Sequence, residues 1–199
     1  MSKQLIISVS REFGSGGHIV AQHLAKKFEL PLYNRNLLKE ITIEKNWDLK
    51  ELEKYDELSR KPLFSRTIRG YSNSPEENIA NLQFEYLQKK ADQGKSFVIV
   101  GRCAESVLKK YDALVSIFVL ADVDTKIKRI METHEISKLE AELMMKRYDR
   151  ERKAYHNYYC VHKWGDSRNY DICVNSSRLG FECTANVLEE YIRERMERR

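Results

Sequence analysis

The sequence contains little of what several classes of protein depend on. Its 199 residues include three prolines, eight glycines and four cysteines, and no apolar run approaches the length of a membrane-spanning helix. Because 42% of the residues are hydrophobic and 33% are charged, the composition excludes a collagen-like, a disordered and a disulfide-stapled chain. The length instead indicates one globular domain with a substantial core.

The cysteines show no C-x-x-C spacing; they are Cys103, Cys160, Cys173 and Cys183. This arrangement favours reduced, mostly buried thiols over a zinc site or a disulfide framework, so we predict no metal ligands in the chain. Residues 1–4 lead directly into a strand-like segment, without the basic and cleavable apolar regions of a signal peptide. We therefore expect a cytoplasmic protein that does not bind membranes.

The charge is nearly balanced, with 35 basic and 30 acidic residues and a net charge of +5. Such a balance is small for a surface dedicated to nucleic acid, so nucleic acid is not an expected partner. It favours a small anionic ligand instead.

Short apolar segments alternate with segments of helical periodicity. Strands are predicted at 5–9, 31–33, 97–100, 114–120 and 170–174. Helices are predicted to follow the first strand, to restart at Pro75, to follow Ser137 with Glu140 completing a capping box, and to cover 181–196. Asp48 and Glu51 form a second candidate capping box. The alternation indicates an α/β fold with a parallel sheet covered by helices on both faces.

Three of the glycines lie close together, directly after the first strand. Glycines between a strand and a helix let backbone N–H groups and the helix N-terminus surround a phosphate. We predict that this loop surrounds a phosphate group; its residues include Ser10, Arg11, Gly14, Ser15, Gly16, Gly17 and His18. A plain strand-to-helix turn is the alternative.

The loop lacks two residues that a Walker A loop, G-x-x-x-x-G-K-[ST], uses for chemistry. With Gly16 aligned on the last glycine of that motif, Gly17 stands at the lysine and His18 at the Ser/Thr. Arg11 can clamp phosphate in a bidentate manner, and His18 can donate a hydrogen bond. Two functions stay open, a kinase and a nucleotide-binding sensor or regulatory protein without kinase activity.

Basic residues follow at two places downstream. Arg102 ends a buried strand, so its guanidinium is expected to project into the same crevice as the loop. The helix after Ser137 concentrates positive charge; its basic residues are Lys146, Arg147, Arg150, Arg152 and Lys153. Arginines beside a phosphate loop would neutralise a transferring phosphoryl group. A solvated helix face, with pairs such as Arg147 and Glu151, is the alternative.

In this order, these features resemble the cytidylate kinases, and most closely the cytidylate kinase-like branch with its opening S-R-x-[FY]-G-S-G-G. Residues Ser10 to Gly17 match that opening throughout. Gly101 to Cys103 resemble the family's G-R-D, with cysteine in place of aspartate. Asp149 to Arg152 resemble its D-R-x-R lid motif, and the likeness extends over nearly the whole chain.

The resemblance implies a three-layer α/β/α P-loop fold in a single domain. Its core would be 1–33 and 95–199, its helical monophosphate-binding insert about 34–94, and its lid about 146–168. The implied activity is transfer of the γ-phosphoryl group of ATP, with Mg²⁺, to CMP, dCMP or a related small acceptor. The implied catalytic residues are Arg11, Arg150 and Arg152, and the implied acceptor-binding residues are Tyr33, Asn34, Arg102 and Asp149. The resemblance also implies that the loop residues Ser10, Arg11, Gly14, Ser15, Gly16, Gly17 and His18 bind the phosphates of ATP. The acceptor's identity, the phosphate donor and the oligomeric state are left open.

Overall fold

The computed structural model describes residues 3–34, 36–45, 67–68, 71–72 and 75–199. Its strands are β1 (Ile6–Arg11), β2 (Leu32–Tyr33), β3 (Thr67–Ile68), β4 (Tyr71–Ser72), β5 (Phe97–Val100), β6 (Leu114–Leu120) and β7 (Ile172–Asn175). Its helices are α1 (Gly17–Lys27), α2 (Leu37–Lys45), α3 (Pro75–Asp92), α4 (Ala104–Val107), α5 (Val123–His134), α6 (Lys138–Tyr159) and α7 (Ser176–Glu197). A short 3₁₀ helix, Ser167–Asn169, precedes β7.

Five parallel strands form the main sheet in the order β2-β5-β1-β6-β7. The central strand β1 is buried over Ile6 to Ser10, which explains its almost continuous apolar sequence. From β1 the chain crosses first to one side of the sheet and later to the other. The carboxyl end of β1, at Arg11, therefore lies at the point where ligands bind in open α/β sheets.

Helices cover both faces of this sheet. On one face, α1 and α7 pack against β1, β5 and β6 through buried residues that include Leu24 and Leu188. On the other face, α2, α3 and α4 contribute Leu38, Leu87 and Ala104. The predicted α/β/α architecture is confirmed, and the described part of segment 34–94 is anchored on the second face.

Local sequence signals account for most helix starts. Helix α6 begins with the predicted capping box, in which Glu140 N donates to Ser137 Oγ and Glu140 accepts from the Ser137 backbone. Helix α3 begins at Pro75 as predicted. Helix α7 begins at Ser176, earlier than predicted, because its first turn precedes a break at Gly180 with φ of 70°. The Asp48 and Glu51 box lies outside the described residues.

Helices α5 and α6 form an antiparallel pair at the carboxyl edge of the sheet. Buried residues from both helices hold the pair together, namely Ile127, Ile130, Ala141 and Met145. This contact places the second half of α6 over the loop that follows β1. Among the described residues, no helix combines the length and the apolar character needed to cross a bilayer.

Candidate functional site

A cavity of about 520 Å³ opens at the carboxyl end of β1. It brings together seven residues singled out in the sequence, namely Arg11, Gly14, Gly16, Gly17, His18, Asn34 and Arg152. It is also lined by residues that the sequence did not indicate, among them Phe13, Arg129, His134 and Phe181. The loop and the lid motif therefore meet at one site, although about 140 residues separate them along the chain.

The loop requires glycine at Gly14 and Gly16 for two reasons. Both adopt left-handed backbone conformations, with φ of 78° and 77°. A Cβ at Gly16 would also overlap the Phe181 ring, and one at Gly14 would lie 3.0 Å from the carbonyl oxygen of Lys126. Gly16 is also the N-cap of α1, so that helix begins at the wall of the cavity, which Gly16, Gly17 and His18 line.

The two serines of the loop turn away from the cavity. Ser15 Oγ donates to the carbonyl oxygen of Glu12 at 2.8 Å. Ser10 Oγ donates to Glu105 Oε2 of α4 at 3.1 Å, and both serines are buried. Their hydroxyls hold the loop and the end of β1 in place.

Arg11 and Gly17 form a spatial pair. A Cβ at Gly17 would lie 2.5 Å from Cβ of Arg11, so the side chain of Arg11 leaves β1 through space that only glycine allows. The guanidinium then passes Gly101, where Nη1 occupies the space of a side chain. The residue at the Walker lysine position is thus small because Cβ and Cγ of Arg11, from the end of β1, occupy the space that a side chain there would need.

Asp149 attaches α6 to the loop. Its Oδ1 accepts from the backbone N–H of Phe13 at 2.6 Å, and its Oδ2 lies 3.6 Å from Lys126 Nζ. Lys126 also pairs with Glu12 at 2.9 Å. Burial raises the pKa of Asp149, against the opposing effects of the Phe13 amide and Lys126. Asp149 of α6 therefore holds the loop in position and also contacts Lys126 of α5.

The two arginines of the lid motif occupy different environments. Arg152 lines the cavity, its guanidinium lies 5.5 Å from the centre of the Phe13 ring, and its Nη1 lies 3.4 Å from the carbonyl oxygen of Arg11. Arg150 is exposed and is not among the lining residues. Residues two apart on a helix face different directions, which separates the two arginines.

The predicted acceptor-binding residues are only partly brought together. Asn34 lines the cavity, whereas Tyr33 packs against the rings of Tyr86 and Phe97. Arg102, expected to project into the crevice, is instead 3% exposed and does not line this cavity. The reason lies in the backbone, because Gly101, Arg102 and Cys103 have φ of 76°, 61° and 52°. This left-handed turn directs the Arg102 side chain inward.

Arg129 is the most consequential residue that sequence reasoning missed. Its Nη1 donates to the carbonyl oxygen of Ser15 at 3.1 Å and to Ser176 Oγ at 2.9 Å, so it joins the loop to the start of α7. Its guanidinium also lies 4.4 Å from the centre of the Phe181 ring. On the amphipathic helix α5 it is one of several basic residues, and nothing in the local sequence distinguishes it.

Comparison with solved structures places this architecture among known proteins. An uncharacterized protein from Eubacterium ventriosum ATCC 27560 is 39% identical, with a TM-score of 0.76 over 95% of this chain and 98% of that chain. A putative kinase from Chloroflexus aurantiacus J-10-fl is 13% identical, with a TM-score of 0.52 over 98% of each chain. Shikimate kinase from Bacteroides thetaiotaomicron is 15% identical, with a TM-score of 0.53 over 95% of this chain and 98% of that chain. At 13% and 15% identity, the likeness of the last two structures to this chain shows a common fold and nothing further.

The curated proteins contain no match to the chain. A family model, by contrast, matches residues 6–178, which include the whole of the glycine loop, Arg102 and the lid motif. The loop geometry, the parallel sheet and this match agree, and the chain is a member of the cytidylate kinase-like family.

Proposed function

We propose that this chain is a phosphotransferase that moves the γ-phosphoryl group of ATP to a small acceptor. The observation that carries the proposal is the cavity at the end of β1, where the glycine loop, the start of α1, Arg11 and Arg152 meet. Phosphoryl transfer demands positioning and charge neutralisation more than covalent chemistry from the protein. The cavity offers groups suited to both tasks.

Besides Arg129 of α5, positive charge reaches the cavity from three elements. The N-terminus of α1 supplies backbone N–H groups and the positive end of the helix dipole. Arg11 comes from β1 and Arg152 from α6, and each guanidinium can bind phosphate oxygens in a bidentate manner. In this proposal Arg11 performs the task of the Walker lysine, because its side chain passes over Gly17 and lines the cavity.

Mg²⁺ is proposed to enter with ATP. The loop hydroxyls of Ser10 and Ser15 donate to other protein groups, and His18 stands where a Walker loop has its magnesium-binding hydroxyl. The ion would then be held mainly by phosphate oxygens and water, as Mg²⁺ commonly is. When bound, it would neutralise charge on the β- and γ-phosphates.

CMP and dCMP are the first acceptors to test, because family membership supports them and Asn34 lines the cavity. The residue at the family's aspartate position, Cys103, is 3% exposed and lies with Tyr155 and Cys160 in a buried cluster. From there it does not read a nucleobase. A related small acceptor is therefore included in the proposal.

A nucleotide-binding sensor without kinase activity is the second candidate. It is favoured by Gly17 and His18, which replace the Walker lysine and hydroxyl. Both candidates predict ATP binding, and only turnover distinguishes them.

The decisive experiment is an acceptor screen with radiolabelled ATP and Mg²⁺, using CMP, dCMP, UMP and AMP. We expect turnover with at least one acceptor, and a loss of about 10²–10³-fold in kcat for Arg152→Ala. The matched control is Arg147→Ala, an exposed arginine on the same helix, which should keep wild-type turnover. Arg150→Ala should lose less than Arg152→Ala.

ATP binding without turnover for any acceptor would support the sensor. Equal losses in Arg147→Ala and Arg152→Ala would contradict the proposed role of the cavity. A thermal shift by ATP, measured in parallel, separates loss of binding from loss of chemistry.

A further inference from the structure

Three potential metal ligands meet behind the phosphate-binding loop, in a place that the proposed phosphoryl transfer does not use. Glu105 comes from α4, His156 from the last turn of α6, and Cys160 directly follows that helix. One donor atom of each residue lies within 4.8 Å of the donor atoms of the other two. Glu105 precedes His156 by 51 residues, so the three residues form no continuous motif.

The cluster is buried and internally ordered. The side chains of Glu105 and His156 are 1% and 5% exposed. His156 Nε2 lies 2.6 Å from Glu105 Oε1, and the other carboxylate oxygen accepts from Ser10 Oγ at 3.1 Å. Glu105 is thus held in a fixed orientation by groups from two other elements.

A second cysteine, Cys103, lies in the same buried cluster as Cys160. Cys103 is the N-cap of α4 and Cys160 the C-cap of α6, so the core of the domain and the end of α6 each supply one sulfur. The neighbourhood therefore contains one carboxylate, one imidazole and two thiols.

These are the ligands that Zn²⁺ binds in proteins. Zn²⁺ takes four N, O or S ligands at about 2.0–2.3 Å, which in a tetrahedron places neighbouring ligand atoms roughly 3–4 Å apart. The observed separations within 4.8 Å are compatible with that arrangement after small side-chain movements. The hydrogen bond from Ser10 to Glu105 resembles the outer contacts that orient metal ligands.

We propose that Glu105, His156 and Cys160 bind a zinc ion, with Cys103 supplying the fourth ligand. Bound there, the ion cross-links α4 in the core to the end of α6. His156 lies on the same helix as Asp149 and Arg152, and Cys160 directly follows that helix, so metal occupancy fixes the far end of the element that reaches the cavity. The site is independent of the acceptor and of whether the chain is a kinase.

The test uses the full chain, freed of metal with a chelator, kept reduced and titrated with Co²⁺ alone. We expect one equivalent to bind, with a thiolate-to-cobalt charge-transfer band and the visible bands of four-coordinate cobalt. Zn²⁺ should remove these bands by displacement. The melting temperature should rise with Zn²⁺, because the metal binds only the folded site.

Variants identify the ligands. Cys160→Ser should abolish the charge-transfer band or weaken binding by more than about 100-fold, and Cys103→Ser should weaken it by at least about tenfold. Cys173→Ser and Cys183→Ser are matched controls outside the cluster and should behave as the wild type. His156→Gln should also lose the metal; if it does not fold, the near-isosteric Cys160→Ser keeps the test valid.

Three results would overturn the proposal. One is a folded, reduced wild-type chain that binds no cobalt or shows no charge-transfer band. Another is metal binding that Cys160→Ser leaves unchanged. The third is a Cys103–Cys160 disulfide in protein purified without reductant, together with no metal uptake after reduction, which would make the pair a redox site.

Discussion

Adding a side chain at Gly17 gives the sharpest test of how the phosphate-binding loop is built. From the sequence alone, Gly17→Lys restores the missing Walker lysine. In the structure, however, a Cβ there would lie 2.5 Å from Cβ of Arg11 and 3.2 Å from Cβ of Val119. Ordinary carbon contacts are about 3.5–4.0 Å, and neither neighbour is the movable end of a side chain. The backbone of β1 or α1 must therefore shift.

Overpacking of this kind costs about 1–3 kcal/mol. For a chain of this size, that is a fall in melting temperature of roughly 2–12 °C. Gly17→Ala should already show most of the effect, because it adds only the clashing atom. Gly17→Lys should be destabilised as much and should not exceed the wild type in turnover.

The compensating variant is Arg11→Gly combined with Gly17→Lys, which removes the clashing Cβ and moves the cation to the Walker position. Arg11→Gly alone should lose about 10²–10³-fold in kcat. The double variant should melt above Gly17→Lys and turn over faster than Arg11→Gly. The two changes then deviate from additivity, as expected for residues in contact.

Thermal melts and steady-state turnover of the four proteins suffice for this cycle. The reasoning is refuted if Gly17→Lys melts with the wild type and is more active. It is also refuted if the two substitutions are simply additive in both assays.

Three further predictions concern the groups around the loop. Asp149→Ala removes the acceptor of the Phe13 N–H and should cost about 1.5–3 kcal/mol in urea unfolding; an unchanged midpoint would mean that this contact does not support the loop. Phe181→Ala removes the ring that faces Gly16, and it should weaken ATP binding in a thermal-shift titration more than it changes kcat. Ser137→Ala breaks the capping box of α6 and should cost about 1 kcal/mol while kcat stays at the wild-type value; lost turnover at full stability would contradict this.

The features that the sequence predicted well are those encoded locally. The apolar run before Ser10, the glycines after it and the box of Ser137 with Glu140 each need only a few neighbouring residues to specify them. Their combination was enough to predict the α/β/α fold, the position of the loop and the family. The bounds of the insert and of the lid stay predictions, and parts of the insert, including 46–66, lie outside the described residues.

The side-chain arrangement depended on contacts that no local pattern encodes. Arg102 turns inward because two non-glycine residues in succession adopt positive φ, a choice that propensities disfavour. Arg129 matters only because Ser15 and Ser176 are brought to it by the sheet and by α7. Spacing rules for metal sites likewise miss donors that lie on separate elements.

The crossing of Arg11 over Gly17 has an evolutionary consequence. In the proposed function, a loop with its cation at position 11 and a loop with a lysine at position 17 are two ways to bind the same phosphate. Losing Arg11 first would remove the proposed cation, and gaining a side chain at position 17 first meets the Arg11 Cβ. We therefore expect the identities at positions 11 and 17 to change together among related sequences.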